Sequence, residues 1–423
     1  MILLDPQSPA LAGIVRAGDC VMWGQAGAEP LALTRALMAQ RHAVGHFSAF
    51  IGATWSDTAR PEYADRVAFH SYCGAGANRA LSRAGVLDIL PCHYSEMAAM
   101  LRSGRLKIDV LLLQLAPADA SGRYSLSVAH EYLVPALAAA RVVIAEINAQ
   151  APYTHGERYL LEADIDYALH TDRRPLAPPS AGAGGDDASL AVARNVASLI
   201  GDGATLQCGI GALPDAVLAQ LADRCDLGIH TGALGDQAAL LCQAGVVTNG
   251  RKNIDRGVTV AGLMMGGQRV YDYAHNNPHV QFRSTEYTHS ADVLAQLDRF
   301  TAINSALEVD ITGQVNAETV GGGYAGAVGG LPDFIRGAHR SHGGLPIIAL
   351  PSQAGAGQSR IVSALRGPAT LARGDAGIVV TEYGIADLRG LSIARRIERM
   401  IGIAHPDARA GLERECGRLR IIE

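Results

Sequence analysis

The stretch GIHTGALGDQ, Gly228 to Gln237, has the layout of a reactive turn. The run CDLGIH reads as an apolar strand ending at His230, and a helix is expected from about Gln237 after a glycine-rich turn. Strand ends are where α/β folds usually present reactive side chains. The turn supplies Thr231 and Asp236, yet Gly232 at its centre has no side chain. A second glycine-rich run, ETVGGGYAGAVGG from Glu318 to Gly330, could aim several backbone N–H groups at an oxyanion or phosphate. The same composition also makes compact turns. It fits neither the GxxxxGK[ST] pattern nor a strand-linked GxGxxG, so neither nucleotide fingerprint applies.

Positioning such turns requires a sheet. VLDILPCHY, IDVLLLQLAP and RVVIAEIN read as strands of the first half, and LPIIALPS and GIVVTEYG as doubly buried strands of the second. Strands alternating with helical patterns predict mostly parallel sheets. Two segments resemble each other, VRAGDCVMWGQAGAEPLALTRAL (Val15 to Leu37) and IGDGATLQCGIGALPDAVLAQL (Ile200 to Leu221). Each has a Gly/Asp turn, a β-prone run, a Gly-x-x-Pro loop and a helical period, and Gly27 and Gly211 lie 184 positions apart. That spacing suggests two copies of one α/β domain, placed at residues 1–185 and 186–423. PLAPPSAGAGGDDASL, Pro175 to Leu190, reads as the exposed linker, followed by a helix in DASLAVARNVASLI capped by an Asp or Ser.

Composition narrows the class. A chain of 423 residues that is 48% hydrophobic can bury one or two large cores. With 5% aromatics and 48 glycines, close helix-on-sheet packing is favoured over an aromatic-rich sandwich. A formal charge of −5 and no dense Lys/Arg run argue against nucleic acid. No apolar stretch reaches the roughly 18–20 residues of a membrane helix, and MILLDPQSPA lacks the features of a signal peptide. The seven cysteines (Cys20, Cys73, Cys92, Cys208, Cys225, Cys242 and Cys416) show no CxxC spacing, so neither a disulfide framework nor a zinc or other metal site is expected. The expectation is a cytoplasmic α/β protein with free thiols.

Longer motifs carry a resemblance. LQCGIGALPDAVL, DLGIHTG, VYDYAHNNP, INSALEVDITGQVNAE, GGLPDFIRGA, SRIV, VVTEYGIADLRG and IAHPDAR keep their order across nearly all of residues 196–410. GQAGAEP, LLLQLAPADASGRYSL and VVIAEINAQAPYTHGE add weaker matches in the first half. The chain resembles the acetyl-CoA hydrolase/transferase family, especially its 4-hydroxybutyrate and succinate/acetate CoA-transferases. The resemblance implies tandem CoA-transferase-type (NagB/RpiA-like) domains, a cleft between them, acyl-CoA as substrate and a dimer or larger homo-oligomer. It also implies a glutamate that attacks the thioester and passes through an anhydride to a glutamyl-CoA thioester, which conserves the thioester bond energy.

In the family that glutamate follows a His-Thr or similar pair in a turn resembling HTEMFSDG; here HTGALGDQ places Gly232 at its position. Asp236 matches an acidic residue of the family turn, and Glu308 and Glu318 match ordinary family positions, so none of these fills the role; Glu286 lies in another motif. Ala233, Leu234, Gly235 and Gln237 also depart from the family turn. A lysine often found near PSQAGAGQSRIV is replaced by Gly355, Ala356 and Gly357, which puts phosphate affinity in doubt and leaves an acylated carrier arm open as donor. Gly209, Ile210, Gly211 and Ala212 match the CoA-contacting loop, Gly329 and Gly330 the glycines near the thioester, and Ser305 and Ala354 positions bordering CoA.

Around the vacancy, His230 is a candidate general base or a structural residue at the strand end. Cys208 is a candidate thiolate before a helix start or a small buried residue, and His289 a weaker candidate or a structural residue. The leading expectation is direct transfer of the acyl group from acyl-CoA to an acceptor, or hydrolysis, without a glutamyl-CoA intermediate. Two alternatives stay open: an ordinary transferase using another carboxylate, and a catalytically silent CoA-binding sensor or subunit.

Overall fold

The near-continuous apolar runs VLLLQL and VVIAEIN become adjacent parallel strands, Val110–Leu115 and Val142–Asn148, buried on both faces. They lie inside an eight-stranded, all-parallel sheet. Its spatial order is Ile2–Leu3, Tyr167–Thr171, Val142–Asn148, Val110–Leu115, Cys20–Trp23, Phe47–Ile51, Val67–Ser71 and Leu87–Ile89. A second sheet orders Gly228–Ile229, Thr205–Cys208, Phe300–Ser305, Leu345–Ala349, Ile378–Thr381 and Gly384–Asp387. Only its last strand is antiparallel. The computed structural model giving this fold describes residues 1–178 and 186–416.

Both of the similar segments fold as a strand followed by a loop and a helix. Strand Cys20–Trp23 leads into helix Leu31–Ala39, and strand Thr205–Cys208 into helix Ala212–Ala219. Each strand has a partner on both sides within its own sheet. In the second copy the turn depends on Gly211, whose φ of 111° is a conformation that L side chains rarely adopt. The helix of DASLAVARNVASLI runs Asp187–Ala197, its start fixed by Asp186 Oδ1 accepting the Ser189 amide at 2.9 Å. The helix after the glycine turn is Asp236–Gln243, one residue earlier than its sequence suggests. The middle of the linker, 179–185, lies outside the described residues, and among them no helix is long and apolar enough to cross a membrane.

The two sheets are not independent bodies. The main set of contacting buried side chains runs from Met22, Phe50 and Leu113 through Tyr132 to Leu206, Ile303 and Val380. His155–Gly156 of the first half pairs in parallel with Val280–Phe282, which in turn pairs with Thr259–Ala261. Tyr271 adds a tie from the second half, its hydroxyl donating to the Leu176 carbonyl at 2.7 Å, with Gly27 packed against the same oxygen. Tyr271→Phe removes one hydrogen bond without changing packing volume, so it should lower stability by about 1 kcal/mol, read as a lower urea midpoint.

Candidate active site

Polar and reactive side chains gather where strands of both sheets end. Gln25 follows Cys20–Trp23, Tyr72 follows Val67–Ser71, Gly209 and Ile210 follow Thr205–Cys208, and Gly232 follows Gly228–Ile229. With Tyr94, His289, Gly329, Gly330 and Phe334 they line an inner cavity of about 180 Å³. A larger groove of about 920 Å³ shares Ile210 with it and is walled by Gly211, Ala212, Ser305 and Ala354. All eight residues expected to contact CoA therefore border one of two adjoining spaces. Ile210, half exposed, stands at their junction.

Gly232 lines the inner cavity while its carbonyl accepts from the Gly262 and Leu263 amides at 2.9 and 3.1 Å. A Cβ at Gly232 would lie 3.1 Å from Cε1 and Nε2 of His289, and one at Gly330 only 2.6 Å from Cδ2 and Nε2. The imidazole thus occupies space that side chains at these positions would need. It packs on Phe334 and Tyr94, with ring centroids 4.4 and 5.0 Å away. Burial, reinforced by neighbouring His230, pushes its pKa down to about 3, so the ring is neutral near pH 7.

The other reactive candidates have different surroundings. His230 is fully buried against Tyr287 and Phe300 and does not line the cavity; its Nε2 donates to the Thr288 carbonyl at 3.2 Å. Burial brings its pKa down to about 3, and its bond to Thr288 ties it to the turn that carries His289. Cys208 does line the cavity, but no thiolate is favoured at this helix start. Burial, then the Asp215 charge, pushes its thiol well up, and Sγ contacts the Pro214 carbonyl at 3.7 Å. The location before a helix is outweighed by desolvation.

The acidic groups weighed from the sequence are committed elsewhere. Asp236 accepts from the Gly267 and Val270 amides at 2.8 and 2.9 Å, bracing helix Gln268–Ala274. Glu286 pairs with Arg102, Glu308 with Arg366 and Asn316, and Glu318 with Tyr324 and Thr370. None of them lines the inner cavity.

Two further polar residues at the site were not apparent in the sequence. Glu131, in the segment AHEYLVP, is fully buried just behind the cavity wall, where both its oxygens accept from Gln25 Nε2 at 2.9 Å and Oε2 from Tyr94 at 2.7 Å. Gln25 Oε1 in turn accepts from Tyr72 at 2.7 Å and from the Ala53 amide. Burial raises the Glu131 pKa to about 7 despite these donors. Its backbone φ of 24° is also strained for a non-glycine residue. Arg360, inside the SRIV motif, faces the large groove; among the described residues its guanidinium has no hydrogen-bond or ion-pair partner. It supplies a cation that positions 355–357 lack. Among the described residues no cluster of His, Cys, Asp or Glu is arranged to hold a metal.

Two mostly parallel sheets with a cleft at their strand ends define a CoA-transferase-type α/β protein. The crystal structure of RipA from Yersinia pestis matches with a TM-score of 0.94 at 33% identity, covering 100% of this chain and 98% of that one. A 4-hydroxybutyrate CoA-transferase from Porphyromonas gingivalis matches with a TM-score of 0.83 at 32% identity, covering 99% and 98%. The chain belongs to the acetyl-CoA hydrolase/transferase family: residues 7–177 match its N-terminal domain and 266–416 its C-terminal domain. The 4-hydroxybutyrate coenzyme A transferase of Clostridium kluyveri is 41% identical over 345 residues, 80% of each chain.

Glu131 has a pKa near 7 in the fold against an ordinary 4.5, so folding takes up a proton there. Its stabilising contribution is present below pH 4.5 and lost as pH rises through 7. Between about pH 4.5 and 7.5 the protein should therefore lose a few kcal/mol that Glu131→Gln does not lose. Denaturant midpoints of both proteins across that range give the comparison.

Proposed function

We propose that this chain is an acyl-CoA-dependent enzyme that passes the acyl group directly from the thioester to an acceptor, or to water, without a glutamyl-CoA intermediate. One observation carries the reading. At the position where the family resemblance implies the nucleophile stands Gly232, the His289 ring fills the adjoining space, and among the described residues no carboxylate lines the cavity. Loss of a nucleophile elsewhere costs about 10⁶-fold in kcat, so ordinary CoA transfer should be severely impaired. Donors aimed at a thioester carbonyl can still catalyse without it.

For Glu131 to attack a thioester, it would have to leave Gln25 and Tyr94, which hold it behind the cavity wall. Family membership and the groove beside Ile210 support CoA as donor. Arg360 supports a phosphate-bearing arm, since a partly buried guanidinium recognises phosphate well and this one is held by no direct ion pair among the described residues, only by the more distant charges of Asp186 and Glu382.

Mass spectrometry of the protein with a panel of acyl-CoAs, alone and with carboxylate, amine and alcohol acceptors, tests the reading. Acyl transfer without a covalent CoA adduct supports it. A glutamyl-CoA adduct restores ordinary transferase chemistry, and tight CoA binding without turnover points to a sensor or silent subunit. Arg360→Ala should weaken CoA binding about tenfold while leaving the binding of a phosphate-free pantetheine thioester unchanged, measured by calorimetry.

A further inference from the structure

Glycines at 232 and 330 leave open a slot, and His289 Nε2 lies in it, 3.1 and 2.6 Å from where their Cβ atoms would stand. His289 Nδ1 is 2.8 Å from Thr288 Oγ1, and that hydroxyl gives its one proton to the Ser284 carbonyl at 3.1 Å. Thr288 therefore accepts from Nδ1–H, which leaves the lone pair on Nε2. Among the described residues Nε2 has no hydrogen-bond partner, and it opens on the cavity instead of being sealed in the core.

The cavity itself is uncharged: among the described residues no Asp, Glu, Lys or Arg lines it. Gln207 and Asn304, also in its wall, bond each other through their amides at 2.9 and 3.4 Å. Each amide nitrogen has a second N–H, and neither is used in this pairing. A carboxylate acceptor would lose its hydration here without meeting a cation. An ammonium would meet no anion. A neutral hydroxyl, by contrast, finds a lone pair for its proton.

Within the direct-transfer reading above, on which this rests, we propose that His289 is a catalytic base whose Nε2 takes the proton of a hydroxyl acceptor, an alcohol or water. As the acceptor oxygen bonds to the thioester carbonyl carbon, its proton passes to Nε2 and the C=O π pair moves onto the carbonyl oxygen. The spare amide N–H groups of Gln207 and Asn304 are the donors available to that oxyanion. When the C=O reforms, the C–S bond breaks and the leaving CoA thiolate recovers the proton from Nε2. The products are an ester, or a free acid when water is the acceptor, and CoA thiol. Burial keeps the resting imidazole neutral, so an imidazolium forms only beside the oxyanion that stabilises it. Thr288 is a positioning residue that fixes the reactive tautomer.

The test follows CoA release and products with the best acyl-CoA donor, in water alone and with added 1,4-butanediol or acetate. The wild type should form ester with the diol or free acid in water, and transfer little to acetate. His289→Ala should lower kcat about 100-fold or more with CoA affinity unchanged, and added imidazole should restore part of the rate. His289→Asn, close in size and polar, serves if the alanine variant does not fold. An unchanged kcat in these variants, or a loss of rate that accompanies lost CoA binding and resists imidazole, overturns the role of His289 and leaves direct transfer standing. Preferred transfer to acetate or an amine overturns the hydroxyl acceptor. A glutamyl-CoA adduct, or no turnover with any acceptor, overturns the direct-transfer reading and this proposal with it.

Discussion

Everything at the cleft depends on parallel pairing. In a parallel sheet every strand ends at the same edge, so the turns that follow those strands collect there. Two such edges meet here because one hydrophobic core runs between the sheets, from Leu113 to Val380. Gln25 and Tyr72 arrive from the first sheet, Cys208, Gly232 and Asn304 from the second. No single segment could bring them together, and no side chain in the cleft has to be long to reach its neighbours.

The two copies of the repeat have been put to different uses at that meeting point. The loop of the first copy contributes Gln25, whose amide organises Tyr72, Tyr94 and Glu131 into a closed hydrogen-bonded cluster. The loop of the second copy contributes glycines and Ile210, which shape the passage between groove and cavity. One wall is thus rigid and internally satisfied, and the other is open backbone. Against that rigid wall, the small glycines at 232 and 330 give an imidazole room to stand where a larger turn residue would exclude it.

The parts of this arrangement that were legible in the sequence are those written locally. Doubly buried strands such as VLLLQL show as continuous apolar runs, and the strand–glycine–helix repeat shows as similarity at a fixed interval. The glycine loops could be placed beside the cleft because a strand, a glycine turn and a helix start are written in adjacent residues. His289 and Glu131 could not be weighed in the same way. Glu131 is defined by partners 106 and 37 positions away, and His289 by Gly232 and Gly330, glycines far from it in the chain. His230 and Cys208 drew attention because they end strands, but burial decides their chemistry, and the depth of a strand end is set by the whole sheet. Arg360 lay in plain view within SRIV; only the groove reveals that, among the described residues, its guanidinium is left without a direct hydrogen bond or ion pair.

The interlocking of the halves has a consequence for synthesis on the ribosome. The edge strand Ile2–Leu3 pairs with Tyr167 and Ala168, so the first sheet waits for some of its latest residues. The short strand His155–Gly156 waits longer, for Gln281 and Phe282. Contacts so distant in sequence form slowly, because chain closure must precede any gain from them. The emerging first half must then hold an unpaired edge while more than a hundred further residues are made. An exposed edge of that kind is where misassembly begins. For this chain the order of translation, as much as its final stability, sets how safely it reaches the native state.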